Sequence, residues 1–508
     1  MVHFTDLPPE ILELIGEQLD THVTGRSATT IKHLLCVSRF CHRHFYHLLW
    51  RHVSIRGNLP FSDVLKLHAH LVLSLHFNER ISKKYYQLEF PGIVSFRCDL
   101  LKRDLEAMFK RKICDKRKDA DENSAATLSS FLSRHSTIQD LVITTRRLHL
   151  SQQLWDTIAT TLFRPRLLVI DESTFTIAAD PGTKGSGFWR ASSRFEEVRY
   201  CGSDYSGSLE LGDYDFSGLK RLSYSTRTGD SLKIWRWMCS CSNLTRLHWG
   251  GTVSLLQLAA VTEHPIFPSL EEFSLGDYVL GSDEELAAVL SWLPPLKHLR
   301  LARGNFGRMC FSILRERHFD SLRTLAAQGQ GLISKQMALE VLQSCIHLEE
   351  FRANTIKLRD LRPDPRHWVC HGLKHLQVTF ENDPYNPGAS TLLFDQLSTL
   401  TRLEVLDMKY YGYSAPCGWS SAKNTPAWRL DSGLAQLSTL TRLRIFKIQK
   451  YGSDERTEWR VEDFEWMLDH WPSLEVLCGS FTHILPRTEE RVEDRIMALI
   501  KQRGVRTF

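Results

Sequence analysis

One spacing governs what this chain can fold into. The string apolar-x-x-apolar-x-apolar recurs at Leu219-Leu222-Tyr224, Leu244-Leu247-Trp249, Leu270-Phe273-Leu275, Leu296-Leu299-Leu301, Leu322-Leu325-Ala327, Leu348-Phe351-Ala353 and Leu373-Leu376-Val378. Successive first residues are 25, 26, 26, 26, 26 and 25 apart. A single such string means little, because leucine is common. Near-equal steps in succession, with a period of roughly 20 to 50 residues, mark a stacked-repeat architecture. The ladder continues less regularly upstream at Ile138-Leu141-Ile143, Val169-Ile170 and Phe195-Val198-Tyr200. Downstream lie Leu403-Leu406-Met408, Leu443-Phe446-Ile448 and Leu474-Leu477, with steps of 30, 40 and 31. Segments such as Asn382–Ala389 and Gly412–Thr425, rich in Gly, Pro, Ser and Asn, read as loops inserted between units.

The second half of each unit reads as a helix. Leu286, Val289, Leu290 and Leu293 share one helical face, with Asp283 at the N-cap. A strand and a helix of this size cannot bury both apolar faces alone, so neighbours must stack. Leu299 and Leu301 then point inward, and His298 and Arg300 outward. The expected fold is α/β: a solenoid with a parallel sheet on its concave face and helices on its convex face. These strings resemble the leucine-rich-repeat family, in its helix-backed form.

The first fifty residues carry a different pattern. In Leu7-Pro8-Pro9-Glu10-Ile11-Leu12, followed by Ile15 and Leu19, the prolines suit a first helical turn and the aliphatic residues share a face. Apolar blocks at Ile31–Phe40 and Phe45–Trp50 complete three short helices, too thin a core to stand without a neighbour. These residues resemble the F-box, the helical module that docks the Skp-type adaptor of cullin–RING ubiquitin ligases. The resemblance implies that Leu7, Pro8, Ile11, Ile15, Leu34, Val37 and Trp50 contact the adaptor or hold the module's core. The chain departs from the family in its long Asp20–Ile31 connection and in Cys41, where an aromatic ring is usual. F-box followed by leucine-rich repeats is the order of ligase substrate receptors, abundant in fungi among others.

Charge and composition narrow the alternatives. A net charge of +5 over 508 residues is too weak to argue for a nucleic-acid or membrane partner by its field. No apolar run reaches the roughly 20 residues of a membrane helix, and Met1–Asp6 does not open a signal peptide. The expected location is therefore the cytoplasm, the nucleus or both, with the 12 cysteines as reduced thiols. Lys110–Lys118 is a basic run that suits either nuclear import or a solvated loop. Cys41-His42 with His44 and His47 holds ligand-type residues but lacks a convergent set of four. Gly182–Gly187 lacks the Gly-Lys-Ser/Thr ending of a phosphate loop and reads as a linker. No nucleophile motif or cofactor motif is present, so neither catalysis nor a cofactor is expected.

The expected organisation is an F-box-like module at 1–55, a connecting segment with the basic insertion at 56–135, the solenoid at 136–482 and a C-terminal capping helix at 483–508. On the outward strand positions Arg221, Arg246, His248, His298, Arg300 and Arg352 form the candidate target-binding set. Such rows suit an acidic or phosphorylated segment, and equally an unselective solvated face. Aromatic insertions at Tyr385–Ser390 and Tyr410–Trp428 are further candidate contacts. The reading is a non-catalytic substrate receptor, with a Skp-type adaptor, through it a cullin, and a target protein as partners. The alternatives are a repeat scaffold without a ligase role and an enzyme concealed in 56–135.

Overall fold

A strand whose alternate residues are apolar has one face to bury, and a 26-residue step leaves room for one helix to cover it. The computed structural model describes residues 11, 35–36, 39–55, 62–77, 83–101, 126–146, 152–171, 186–202, 214–226, 235, 237–250, 267–276, 282–302, 306–327, 333–361, 367–381, 388–408, 428–448, 460–478 and 490–507. They fall into two compact units, Met1–Asn243 and Leu244–Phe508.

In the first unit, strands β1 (His52–Ile55), β2 (Ser74–Phe77), β3 (Ser95–Leu101), β4 (Asp140–Arg146), β5 (Leu167–Asp171), β6 (Glu197–Gly202) and β7 (Arg221–Thr226) run parallel. Each is hydrogen-bonded to the next. The register puts Leu75, Phe96, Leu141, Leu168, Val198 and Leu222 side by side, all buried. Two residues on, Ile55, Phe77, Cys98, Ile143, Ile170, Tyr200 and Tyr224 make a second buried row, as a two-residue side-chain period requires. Helices at Ser62–His68, Lys83–Tyr86, residues 126–134, Gln152–Thr161 and Ser186–Ser192 fill the crossovers. Phe131 packs its ring against Phe96 at 4.7 Å and Phe77 at 5.7 Å. Buried His135 accepts a hydrogen bond from the Phe90 amide at 2.9 Å and donates to the Phe131 carbonyl at 2.7 Å, tying the loop before β3 to the end of helix 126–134 through one ring.

The ladder therefore begins at β1, and not at residue 136. The strings Trp50-Val53-Ile55, Val72-Leu75-Phe77 and Ile93-Phe96-Cys98 obey the repeat rule. They escape a search for equal steps because 45 residues separate Ile93 from Ile138. The Lys110–Lys118 run within that gap lies outside the described residues. Ser186 and Gly187, expected in a linker, open a helix.

The second unit carries β8 (Arg246–Trp249), β9 (Glu272–Leu275), β10 (His298–Leu301), β11 (Thr324–Ala327), β12 (Glu350–Lys357), β13 (His375–Glu381), β14 (Val405–Asp407), β15 (Ile445–Lys447), β16 (Val476–Cys478) and β17 (Arg506–Thr507). These too are parallel and paired in sequence order, as an open ladder. Leu247, Phe273, Leu299, Leu325, Phe351, Leu376, Leu406, Phe446 and Leu477 stand in one register row, each 1% exposed or less. At about 2 kcal/mol for a fully buried aliphatic side chain, such a row is the main cohesion of the stack. The 483–508 segment is more than a cap: after helix Glu490–Gln502 it adds β17 to the ladder.

Helix ends correct one expectation. Ser282 caps helix Asp283–Trp292, its hydroxyl accepting from the Glu285 amide at 3.3 Å while the Glu285 carboxylate accepts from the Ser282 amide at 3.2 Å. Asp283 serves the next helix, Arg308–Arg317, instead. Its carboxylate accepts from the amides of Gly307, Met309 and Cys310 at 2.8, 2.9 and 3.0 Å. Gly307, the N-cap of that helix, has no side chain to do so, and a Cβ there would lie 2.2 Å from Asp283 Oδ2.

Candidate functional site

At the front of the chain, two residues of the adaptor set, Ile11 and Trp50, are described in both helical placement and exposure, and Ile11 has 41% of its surface open. Leu7, Pro8, Ile15, Leu34 and Val37 lie outside the described residues. Helix Arg39–Phe45 and the short helix Leu48–Arg51 enclose a core of Cys41, Phe45 and Leu48, with Leu35, Phe40 and Leu49 packed against it. Cys41 is 2% exposed, so the position usually filled by a ring is closed over by its neighbours. Trp50 is half-buried, its indole stacked on the His68 ring at 4.3 Å. The Tyr46 hydroxyl meets His68 Nε2 at 3.1 Å. Trp50 thus also opens the first repeat string and joins the front helices to helix Ser62–His68, a role that its spacing to Val53 and Ile55 could have revealed.

The outward strand positions are arranged as expected: Arg246 and Arg300 are exposed, and Arg221, His248, His298 and Arg352 half-buried. Their electrostatics differ from a bare cationic row. Arg221 pairs with Glu197 at 3.0 Å, a contact that belongs to the first unit. In the second unit Arg246 reaches Glu272 at 3.5 Å, and Glu350 lies between Arg352 at 2.5 Å and Arg300 at 3.9 Å. His248 bonds the Ser274 hydroxyl and His298 the Thr324 hydroxyl, both at 2.9 Å. Burial first, and then Arg300, Arg246 and Arg323, outweigh Glu272 and hold the His298 pKa below its ordinary value. Carboxylates on the same or neighbouring strands therefore hold these arginines, and the sheet offers fixed, already oriented arginine forks.

A second set of pairs, which the strand positions alone do not reveal, uses the residue just before each strand. Lys297 meets Glu271 at 2.5 Å, Glu349 takes Lys374 at 2.6 Å and Arg323 at 3.3 Å, and Glu475 takes Arg444 at 2.7 Å together with Arg506, which opens β17 itself, at 3.8 Å. Steps of 26 residues for Lys297–Glu271 and Arg323–Glu349, 25 for Glu349–Lys374 and 31 for both Glu475 pairs place these charges side by side. Trp428, expected on a contact loop, is instead buried between Phe394 at 5.1 Å and Phe446 at 5.3 Å.

No family model and no curated protein sequence matches the chain. Among solved structures it is similar to a chain in the crystal structure of the Rad7 and Elc1 complex in yeast. Identity is 10% and the TM-score 0.34, covering 98% of this chain and 92% of that one. At those values no property passes from one chain to the other. The architecture rests on the ladder itself. It is a leucine-rich-repeat-like solenoid.

Burial pushes the thiols of Cys98, Cys239, Cys241 and Cys370 up to about 12, so they stay protonated and weakly nucleophilic at neutral pH. Among the described residues no group of three or more His, Cys, Asp or Glu is placed to hold a metal ion. His42 of the Cys41–His47 run stacks on Tyr46 at 5.0 Å. No helix among the described residues is long and apolar enough to cross a membrane.

Proposed function

We propose that this chain is the substrate-recognition subunit of a cullin–RING ubiquitin ligase of the Skp-adaptor type. The front helices would hold the adaptor and the ladder would hold the protein to be modified. One observation carries the reading: the Leu7-Pro8-Pro9-Glu10-Ile11-Leu12 pattern with its helical core around Cys41, Phe45 and Leu48, running directly into the first repeat at Trp50. An aliphatic residue left open on a helix, Ile11, is the kind of side chain an adaptor would cover. In this reading the chain does no covalent chemistry. It raises the effective concentration of a bound target beside the transferring subunit, in the cytoplasm or nucleus.

Capture of a purified Skp-type adaptor by the full chain tests the proposal. The wild type should retain the adaptor and the Leu7→Asp, Ile11→Asp double variant should release it. A wild type that never captures the adaptor, yet holds a partner through the ladder, is the scaffold and not the receptor.

A further inference from the structure

The outward face of the first unit is not polar throughout. Arg97 on β3, Val142 on β4, Val169 on β5 and Arg199 on β6 stand opposite one another in register, as one straight row across four strands. Leu167 adjoins Val169 on β5, and these three aliphatic side chains all keep part of their surface open. The two arginines at the ends are 51% and 58% exposed. Each is steadied by a carboxylate two residues along its own strand. Asp99, which also meets His76 at 2.9 Å, takes Arg97 at 3.3 Å, and Glu197 takes Arg199 at 2.5 Å. The carboxylates thus orient the two forks at either end of an aliphatic floor. An arginine has five donors, so a fork held by one carboxylate keeps N–H groups for a second.

The spacing selects an occupant. Three strand separations of about 4.8 Å put the arginine Cα atoms about 14 Å apart. An extended peptide advances about 3.4 Å per residue, so its residues i and i+4 are also about 14 Å apart, with i, i+2 and i+4 on one face. We propose that this row binds an extended segment of a partner protein with the pattern acidic-x-aliphatic-x-acidic. The two carboxylates would meet Arg97 and Arg199, and the central side chain would cover Val142, Leu167 and Val169. The pattern names the recognition segment of the target in the receptor reading, and it rests on that reading only for what the segment belongs to.

Peptide binding to the full chain, with no adaptor present, keeps the two questions apart. The probe is fluorescein-labelled Gly-Ser-Glu-Thr-Leu-Thr-Glu-Ser-Gly, followed by anisotropy. The wild type should bind it at least about tenfold more tightly than the same peptide with lysines for the glutamates, given that a charge-assisted pair is worth about 1.5 kcal/mol or more. Replacing the central leucine by serine, or moving the glutamates to i and i+2, should weaken binding about as much. Arg97→Glu with Arg199→Glu should invert the preference, so that the lysine peptide binds better. Equal binding of the acidic and basic peptides, equal binding of the two spacings, or no saturation at millimolar peptide overturns the proposal. Because the peptide substitutions leave the protein intact, those outcomes do not depend on how well a variant folds.

Discussion

Replacing Asp283 by alanine removes the cap of a helix in which it does not reside. Three amides at the start of Arg308–Arg317 lose their acceptor, and Gly307 has no side chain to substitute. Burial acts to raise the Asp283 pKa, but hydrogen bonds from Cys310, Met309 and Gly307 outweigh it and hold the carboxyl below its ordinary value, so the charge is present at neutral pH. Loss of a cap costs about 1 kcal/mol, and a charged acceptor of several amides more. Water can reach the exposed Met309 but not the buried Cys310, which brings the expected cost to about 2 kcal/mol. Native-state hydrogen exchange reads this locally. The Met309 and Cys310 amides should exchange about 30-fold faster in the Asp283→Ala protein, while those of Lys335–Ser344 change little. Gly307→Ala supplies the decisive comparison, since its Cβ would sit 2.2 Å from Asp283 Oδ2. It should destabilise the wild type and cost much less beside Asp283→Ala, which removes the carboxylate and leaves only the 3.0 Å approach to the Cβ of residue 283, a strong non-additivity. If the two substitutions simply add and exchange at Cys310 is unaltered, the cross-helix cap is refuted.

Other outcomes follow from single contacts. His318 is fully buried, accepts from the Leu296 amide at 3.1 Å and donates to the Leu290 carbonyl at 3.3 Å. Burial, with Arg317 nearby, lowers its pKa from 6.5 to about 4 against the Leu290 bond. The unfolded chain takes this proton first as pH falls, so stability is full above about 6.5 and is lost between 6.5 and about 4, by about 3 kcal/mol in total. His318→Gln should flatten that part of the thermal-midpoint profile, and an unchanged slope would count against the assignment. Cys41→Phe, which restores the usual ring, should destabilise the front helices by about 1–3 kcal/mol in urea unfolding, because Phe45 and Leu48 already close the space. A stabilised variant would show instead that a cavity was waiting there. Glu350→Gln unpairs Arg300 and Arg352 on a solvent-facing sheet and should alter stability by less than about 1 kcal/mol. A loss well beyond that would show the outward pairs to be structural.

Much of this was legible in the residue string, for one reason. The two-residue period of a strand and the stacking step are both one-dimensional, so Leu299 and Leu301 inward, with Arg300 outward, can be read without coordinates. The same string runs through Val72-Leu75-Phe77 and Ile93-Phe96-Cys98. Regularity of step hid these units, because a stack tolerates loops of any length between strands while a search for equal steps does not. Asp283 stands at a capping place along its own helix, but its carboxylate accepts from amides of a helix one repeat later, a neighbour that spacing along one helix does not show. Trp428 looked like a loop aromatic and is core.

What the sequence determined alone is which side of each strand is apolar, how many residues separate one strand from the next, and that a short helical module precedes them. Which charge meets which carboxylate was left to the tertiary structure. So was the alignment of Arg97, Val142, Val169 and Arg199 in one row, although 45 residues separate the first pair and 30 the last. Neighbours in a parallel ladder are set by register across strands, and register is decided by the packing of whole units and not by distance along the chain.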